Sequence, residues 1–236
     1  MNYFILTFFL FQILVFAQID DTLIEKARKF LYENEVHHRP FYIDTINQEI
    51  NEKPYELARN YYQFNEEIKT PLKKTKFLRY SIMTMSPTPS YIIASFNDSL
   101  VLLIQWNCNE GYACDSLIRF FNNNLKEENL LNEDQLVELA YALIKISSPS
   151  WNIYKIISNY SDVSWIGENR GVVYLPDSLK EVIKPIKTKR ENNGIELHYY
   201  LWDEVKLKKV LLHYHNNNID VKLITIWDSG RRLGFN

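Results

Sequence analysis

Apolar residues near the start of the chain recur at helical spacing. Over residues 22–31 they fall three and four positions apart, and Thr22 with Glu25 has the sequence of an N-terminal capping box. A helix is therefore predicted from this point. It should end before Pro40, because a proline disfavours helical backbone in the residue that precedes it.

Residues 132–146, in the middle of the chain, also have apolar residues at helical spacing. Asn132 and Gln135 form a second capping-box sequence, and most of the apolar residues behind them share one helical face. This is the most regular helical pattern in the chain. Shorter helices are predicted over residues 54–64 and 115–124.

Elsewhere the apolar residues alternate or run continuously, as they do in β-strands. Residues 76–86 predict a strand, and residues 91–106 predict a hairpin that turns at Asn97–Asp98. The charged residues 187–194 are predicted to be a connector. Three further strands, joined by tight turns, are predicted over residues 194–202, 205–215 and 219–227.

This order of elements predicts an α+β fold. We expect N-terminal and central helices to pack on antiparallel sheet, with the chain ending in a three-stranded C-terminal meander. Residues 18–236 are expected to form a single domain, with a weak subdomain boundary at residues 147–151, where the central helix breaks.

The first residues form an apolar leader, 1–17. Its uncharged run from Tyr3 to Ala17 would span about 22 Å as a helix, short of the roughly 30 Å hydrocarbon core of a bilayer. Val15 and Ala17 supply the small residues of a signal-peptidase site. We expect export with cleavage after Ala17, to the periplasm or outside the cell. An uncleaved anchor and an apolar first strand are the alternatives.

The charge composition of the chain limits the classes of partner that it is expected to bind. The chain has 27 Lys and Arg residues against 29 Asp and Glu residues, a net charge of −2. This balance argues against a surface built for nucleic acid or for an anionic membrane. After the leader, no segment of the sequence is apolar and long enough to predict a transmembrane helix.

The two cysteines, Cys108 and Cys114, lie close together in the sequence. In an exported protein such a pair predicts a disulfide that closes a short loop and contributes about 2–3 kcal/mol. A redox pair or two metal ligands are the alternatives, although redox motifs usually have CxxC spacing.

Two histidines one residue apart, His213 and His215, suggest a metal site. They share one face of a strand, and we predict a turn at Asn217–Asn218 that sets Asp220 opposite His215. Two imidazoles and a carboxylate can bind a transition metal. The same register sets Lys222 opposite His213, and a cation there disfavours a divalent ion. A solvated polar face is the preferred interpretation, and metal binding by His213, His215 and Asp220 is the alternative.

The strand over residues 194–202 is rich in aromatic side chains. His198, Tyr200 and Trp202 share one face of it, opposite to the face that holds its leucines. Exposed rings can stack on sugars or anchor a protein partner, so these three residues are a candidate binding surface. The alternative is that the rings fill the core.

Motifs that would give the chain a catalytic mechanism are missing from the sequence. It contains no GxSxG, HExxH, P-loop or GxGxxG pattern. We therefore expect no cofactor and a non-enzymatic domain that binds a protein, a small molecule or a glycan. The competing hypotheses are a metal-assisted hydrolase that uses His213, His215 and Asp220, and a structural component of the cell envelope.

Overall fold

The predicted α+β class is confirmed: the chain forms helices and two antiparallel sheets. The leader 1–17, both cysteines and residues 148–151 of the suggested boundary lie outside the described residues. The computed structural model describes residues 21–38, 55–82, 90–103, 112–113, 115–126, 131–147, 154–162, 175–192, 194–203 and 206–229.

The helices and strands are distributed along the whole of the described chain. The described residues form four α-helices, α1 (Asp21–His38), α2 (Tyr55–Ala58), α3 (Asp115–Leu125) and α4 (Glu133–Ser147). The strands are β1 (Tyr62–Ile68), β2 (Thr75–Ile82), β3 (Ser90–Phe96), β4 (Ser99–Leu103), β5 (Lys155–Ile157), β6 (Lys187–Glu191), β7 (Gly194–Trp202), β8 (Lys206–His215) and β9 (Asn218–Asp228). One sheet has the order β1-β2-β3-β4, and the C-terminal sheet has the order β5-β7-β8-β9 with β6 also on β7. Among the described residues, none of the helices has the length and apolar character needed to cross a membrane.

The chain divides into two compact units, and the first unit contains helix α1. This helix buries Ala27 and Leu31, which lie one turn apart on the same face. Arg28 Nε donates a hydrogen bond to the Tyr62 carbonyl oxygen at 2.9 Å, which ties the helix to strand β1. The units are residues 1–66 with 80–89, and residues 67–79 with 90–236.

Helix α1 confirms the predicted element but not its predicted start. The helix begins at Asp21, one residue before the capping position expected at Thr22. The predicted end is confirmed, since the last helical residue is His38, two positions before Pro40.

The helix predicted over residues 54–64 is wrong beyond its first turn. Helix α2 ends at Ala58, a 3₁₀ turn follows over Arg59–Tyr61, and the chain then continues as strand β1. Tyr62 is buried and Gln63 is exposed, which is the alternation of a strand.

Two local predictions are confirmed in the second unit. The β3–β4 hairpin turns at Asn97–Asp98, and both turn residues have positive φ, 46° and 61°, as a two-residue turn of this kind requires. Helix α4 has its capping box. The Asn132 amide donates to Gln135 Oε1 at 3.0 Å, and the Gln135 amide donates to Asn132 Oδ1 at 2.9 Å.

The C-terminal meander is confirmed as strands β7, β8 and β9. The expected connector over residues 187–194 is wrong, because Lys187–Glu191 forms strand β6 and pairs with the first half of β7. Strand β5 pairs with the last residues of β7. Strand β7 therefore has neighbours along both edges and lies inside the sheet.

The turn between β8 and β9 lies one residue earlier than predicted. Asn216 and Asn217 occupy it with φ of 48° and 58°, so His215 pairs with Asn218 and His213 pairs with Asp220. The predicted pairing of His215 with Asp220 and of His213 with Lys222 is wrong by two positions. A shift of two keeps every side chain on its predicted face, and the buried Leu212 and Tyr214 confirm that division of faces.

A β-bulge moves Trp227 away from its predicted face. Leu207 pairs with Trp227 while Lys208 pairs with Thr225, which leaves Ile226 as the extra residue. Trp227 consequently lies on the same face as Trp202. The two rings stack with centroids 6.0 Å apart and planes 18° apart.

The core of the second unit covers one face of the C-terminal sheet. Leu197, Tyr199 and Leu212 are fully buried there with residues of helices α3 and α4. The Tyr112 and Tyr199 hydroxyls lie 2.6 Å apart in this core. A smaller cluster forms around Trp202 at one end of the opposite face, and its other members are Ile157, Leu175, Leu179, Ile183 and Leu207.

Candidate functional site

The polar face of the C-terminal sheet gathers charged and imidazole side chains in one row. Lys189, Glu196, His213 and Asp220 lie directly opposite one another on strands β6 to β9. Residues that pair across strands project to the same face, so these four side chains are neighbours. We call this side of strands β6 to β9 the polar face.

Glu196 joins two histidines on the polar face. Its Oε2 lies 2.8 Å from His213 Nε2 on the next strand, and its Oε1 is bonded to His198 Nε2 on the same strand. The Glu196 side chain is 12% exposed, whereas the two imidazoles are 31% and 34% exposed. We call Glu196, His198 and His213 the carboxylate–imidazole cluster.

The electrostatics of the cluster favour an ionised carboxylate. The hydrogen bond from His198 is the main cause that holds the pKa of Glu196 below its ordinary value. Partial burial acts in the opposite direction. The charges of His198, His213 and Lys189 lower the pKa further. The cluster can therefore present imidazole groups that are oriented by a fixed negative charge.

The three residues named as an alternative metal site do not come together as a set of ligands. Asp220 lies opposite His213, but His213 Nε2 lies 2.8 Å from Glu196 Oε2, and His215 lies at the strand end opposite Asn218. In the part of the chain that the structure describes, no group of three His, Cys, Asp or Glu side chains has the arrangement of a metal site.

The aromatic surface expected at His198, Tyr200 and Trp202 is only partly exposed. Trp202 is 3% exposed and stacks on Trp227, so it cannot meet a ligand at the surface. Tyr200 is half-buried against the same small cluster, and this burial raises its pKa. His198 remains accessible and belongs to the carboxylate–imidazole cluster.

A small pocket opens beside the cluster at the hairpin end of the sheet. It has a volume of about 150 Å³, and His213 and His215 line it with Glu191, Gly194, Ile195 and Tyr214. Gly194 allows the close approach of β7 and β8 here, because a Cβ at this position would lie 2.2 Å from the Tyr214 carbonyl oxygen.

A second pocket belongs to the N-terminal unit. It has a volume of about 390 Å³, and its lining includes Arg28 and Arg59. Arg28 already forms an ion pair with Glu25. This ion pair offsets the charge of one of the two arginines.

The role of Glu196 was missed by sequence reasoning, which did not identify it as a candidate residue. The signal was present as a Glu-x-His on β7 and a His-x-His on β8. These patterns become one cluster only when the two strands are paired with Glu196 opposite His213. The pairing of Glu196 with His213 depends on how β7 and β8 align in the sheet, and the sequence of either strand alone does not specify it.

Comparisons with known proteins identify no relative of this chain. No family model matches it, and searches of the curated proteins and of the solved structures find no significant match. The function is consequently argued from the geometry of the site.

Proposed function

We propose that this chain is a non-enzymatic binding domain of an exported protein, and that the polar face of its C-terminal sheet is the binding surface. The observation that carries the proposal is the Glu196 carboxylate, which is hydrogen-bonded to His198 and lies 2.8 Å from His213 Nε2. The side chains of the cluster stand on the paired strands β7 and β8, so the backbone holds them in place before any ligand arrives.

The charges around the cluster indicate the chemistry of the ligand. The polar face carries four lysines and three carboxylates, so both signs of charge are interspersed: Lys187, Lys189, Lys209 and Lys222 with Glu191, Glu196 and Asp220. Such a surface favours a polar ligand of low net charge over a nucleic acid or another polyanion. A glycan or a polar segment of a protein partner fits this description.

The pocket beside His213 and His215 supports the same proposal. Its volume of about 150 Å³ is well below the range of roughly 300–1,000 Å³ that is usual for pockets enclosing a whole small molecule. A side group of a larger ligand fits better, with the rest of the ligand lying on the polar face.

Glycan and peptide arrays probed with the purified chain test this proposal. We expect at least one ligand class to bind the parent, and its binding to fall about tenfold in Glu196→Gln, as loss of a charge-assisted contact predicts. The matched control is Glu138→Gln, which removes an exposed carboxylate from helix α4. A ligand whose binding is the same in all three proteins contradicts the assignment to the polar face.

Elemental analysis of the same preparations tests the hydrolase hypothesis. We expect no stoichiometric metal in the parent. A stoichiometric metal that is lost in His213→Ala would instead support a metal-assisted hydrolase and would contradict a purely binding role.

A further inference from the structure

Strand β9 forms the outer edge of the C-terminal sheet. It is 11 residues long, and in the described part of the chain no other strand pairs with its outer side. Unpaired edges recruit other strands unless prolines, lysines or covering elements protect them. The strand contains no proline and a single lysine, Lys222.

The hydrogen-bonding pattern identifies which residues face outward. The two-residue turn makes His215 and Asn218 the closing pair, and in an antiparallel ladder every second pair exchanges hydrogen bonds. Asn218, Asp220, Lys222 and Ile224 therefore direct their amides and carbonyls toward β8. The residues between them direct these groups outward.

Asn122 of helix α3 supports this assignment at the first outward residue. Its Nδ2 donates to the Ile219 carbonyl oxygen at 2.9 Å, and its Oδ1 accepts from the Ile219 amide at 2.7 Å. The Asn122 side chain thus makes the two hydrogen bonds that the backbone of a neighbouring strand would make. Beyond it, Val221, Leu223 and Thr225 present outward amides and carbonyls until the bulge at Ile226 ends the regular ladder.

We propose that this edge pairs with the same edge of a second copy of the chain, antiparallel and centred on Leu223. Leu223 then pairs with Leu223 of the other copy, and Val221 pairs with Thr225 twice. Each of these pairs exchanges two backbone hydrogen bonds. All three outward residues of both copies are satisfied.

The neighbouring registers are each less favourable. Centring on Lys222 opposes two lysines, and like charges directly opposite destabilise a sheet. Centring on Val221 brings Leu223 against Ile219, whose backbone groups Asn122 already occupies. Centring on Ile224 brings Val221 against Trp227, beyond the bulge. The Leu223 register avoids these three pairings, and its regular ladder ends at Thr225, before Trp227 comes opposite Ile219.

The chosen register also covers an exposed apolar side chain. Ile224, 36% exposed, lies opposite Lys222 of the other copy, whose aliphatic stem can pack on it while the ammonium group stays in solvent. Strands paired in this way form one continuous sheet, so the polar faces of the two copies lie on the same side. A dimer would then offer a ligand two adjacent carboxylate–imidazole clusters.

Sedimentation velocity of the full chain over a range of micromolar concentrations tests the proposal. We expect a concentration-dependent dimer. Ile224→Lys places a lysine opposite Lys222 twice per dimer, and should raise the dissociation constant by about tenfold or more. Val101→Lys is the matched control, because Val101 is an exposed residue, 41% accessible, on strand β4 of the other sheet. It should leave the dimer unchanged.

A compensating change tests the register itself. Adding Lys222→Glu to Ile224→Lys places opposite charges across the interface and should restore the dimer. A parent that stays monomeric would overturn the proposal. So would equal dissociation in Ile224→Lys and Val101→Lys, or a double variant that stays monomeric while its circular dichroism matches that of the parent.

Discussion

At the scale of single residues, Glu196 shows what a sequence pattern can and cannot specify. Glu196 and His198 are two positions apart, so any strand places them on one face. His213 reaches the same carboxylate only because Glu196 and His213 are paired across β7 and β8. Sequence reasoning identified both histidines as candidates, but it could not join them, because it considered only the β8–β9 register.

Replacing Glu196 by Gln should destabilise the protein by about 1–2 kcal/mol at pH 7, because two imidazole contacts lose their charged partner. Urea unfolding measures this difference. Glu138→Gln, on the exposed face of helix α4, is the control and should change stability little.

The effect of Glu196→Gln should also depend on pH. The pKa of this carboxyl is lower in the folded protein than the value of about 4.3 expected when it is unfolded. Its stabilising contribution is therefore present above that value, and it is lost as pH falls through the lowered pKa. Parent and variant should therefore converge in stability as the pH is lowered below about 4.3. A constant difference over this range would contradict the assignment.

Asn216 tests the turn between β8 and β9. Its φ of 48° is unfavourable for most side chains and is tolerated by Asn and Gly. Asn216→Ala should cost about 1 kcal/mol in urea unfolding, whereas Asn216→Gly should leave stability nearly unchanged. Equal losses in both variants would mean that this backbone strain is not the cause.

At the scale of elements, the predictions that hold are those fixed by short-range chemistry. The turn at Asn97–Asp98 and the box at Asn132 and Gln135 depend on residues at most three positions apart. The helix expected over residues 54–64 failed because its tyrosines and Phe64 fit either periodicity. Tyr62 and Phe64 lie in strand β1, whose conformation is decided by pairing with β2.

The hairpin register failed for a different physical reason. Three asparagines in succession, 216–218, each suit a turn, so the turn chemistry does not select one pair. The division into polar and apolar faces was the remaining criterion. This criterion excludes a register shift of one residue but not a register shift of two residues. The predicted register differs from the observed one by two residues.

Removal of the capping side chain should weaken helix α4. Asn132→Ala loses the acceptor of the Gln135 amide and should cost about 1 kcal/mol of unfolding free energy. Asn123→Ala, at an exposed position inside helix α3, is the matched control. It should be neutral or slightly stabilising, because Ala has the higher helix propensity.

At the scale of the whole molecule, burial depends on which distant segments cover each face of the sheet. The expectation of an exposed Trp202 failed because residues 175–183 and Trp227 cover that end of the face. Strand periodicity indicates that a ring points away from one hydrophobic core. It does not indicate whether a second hydrophobic cluster covers that ring on the other face of the sheet.

The buried tyrosines should make the second unit sensitive to alkali. Burial raises the pKa of Tyr112 and of Tyr199 well above the usual value of about 10. These hydroxyls therefore favour the folded state fully below pH 10, and the contribution is lost as pH rises toward the raised pKa. The melting temperature should fall above about pH 10, in step with tyrosinate absorbance at 295 nm.

The double variant Tyr112→Phe/Tyr199→Phe should reduce the alkaline fall in melting temperature. Tyr141→Phe is the control, because Tyr141 is half exposed on helix α4. An equal reduction in the control would show that the buried pair is not responsible.

The imidazole region of a two-dimensional ¹H–¹⁵N spectrum, recorded for the parent and for Glu196→Gln at pH 7, tests the carboxylate–imidazole cluster most directly. The structure predicts that the ring resonances of both His198 and His213 shift in the variant, while those of His215 stay in place, because Glu196 contacts the first two rings. Ring resonances of His198 or His213 that do not respond to Glu196→Gln would contradict the cluster, and with it the proposed binding face.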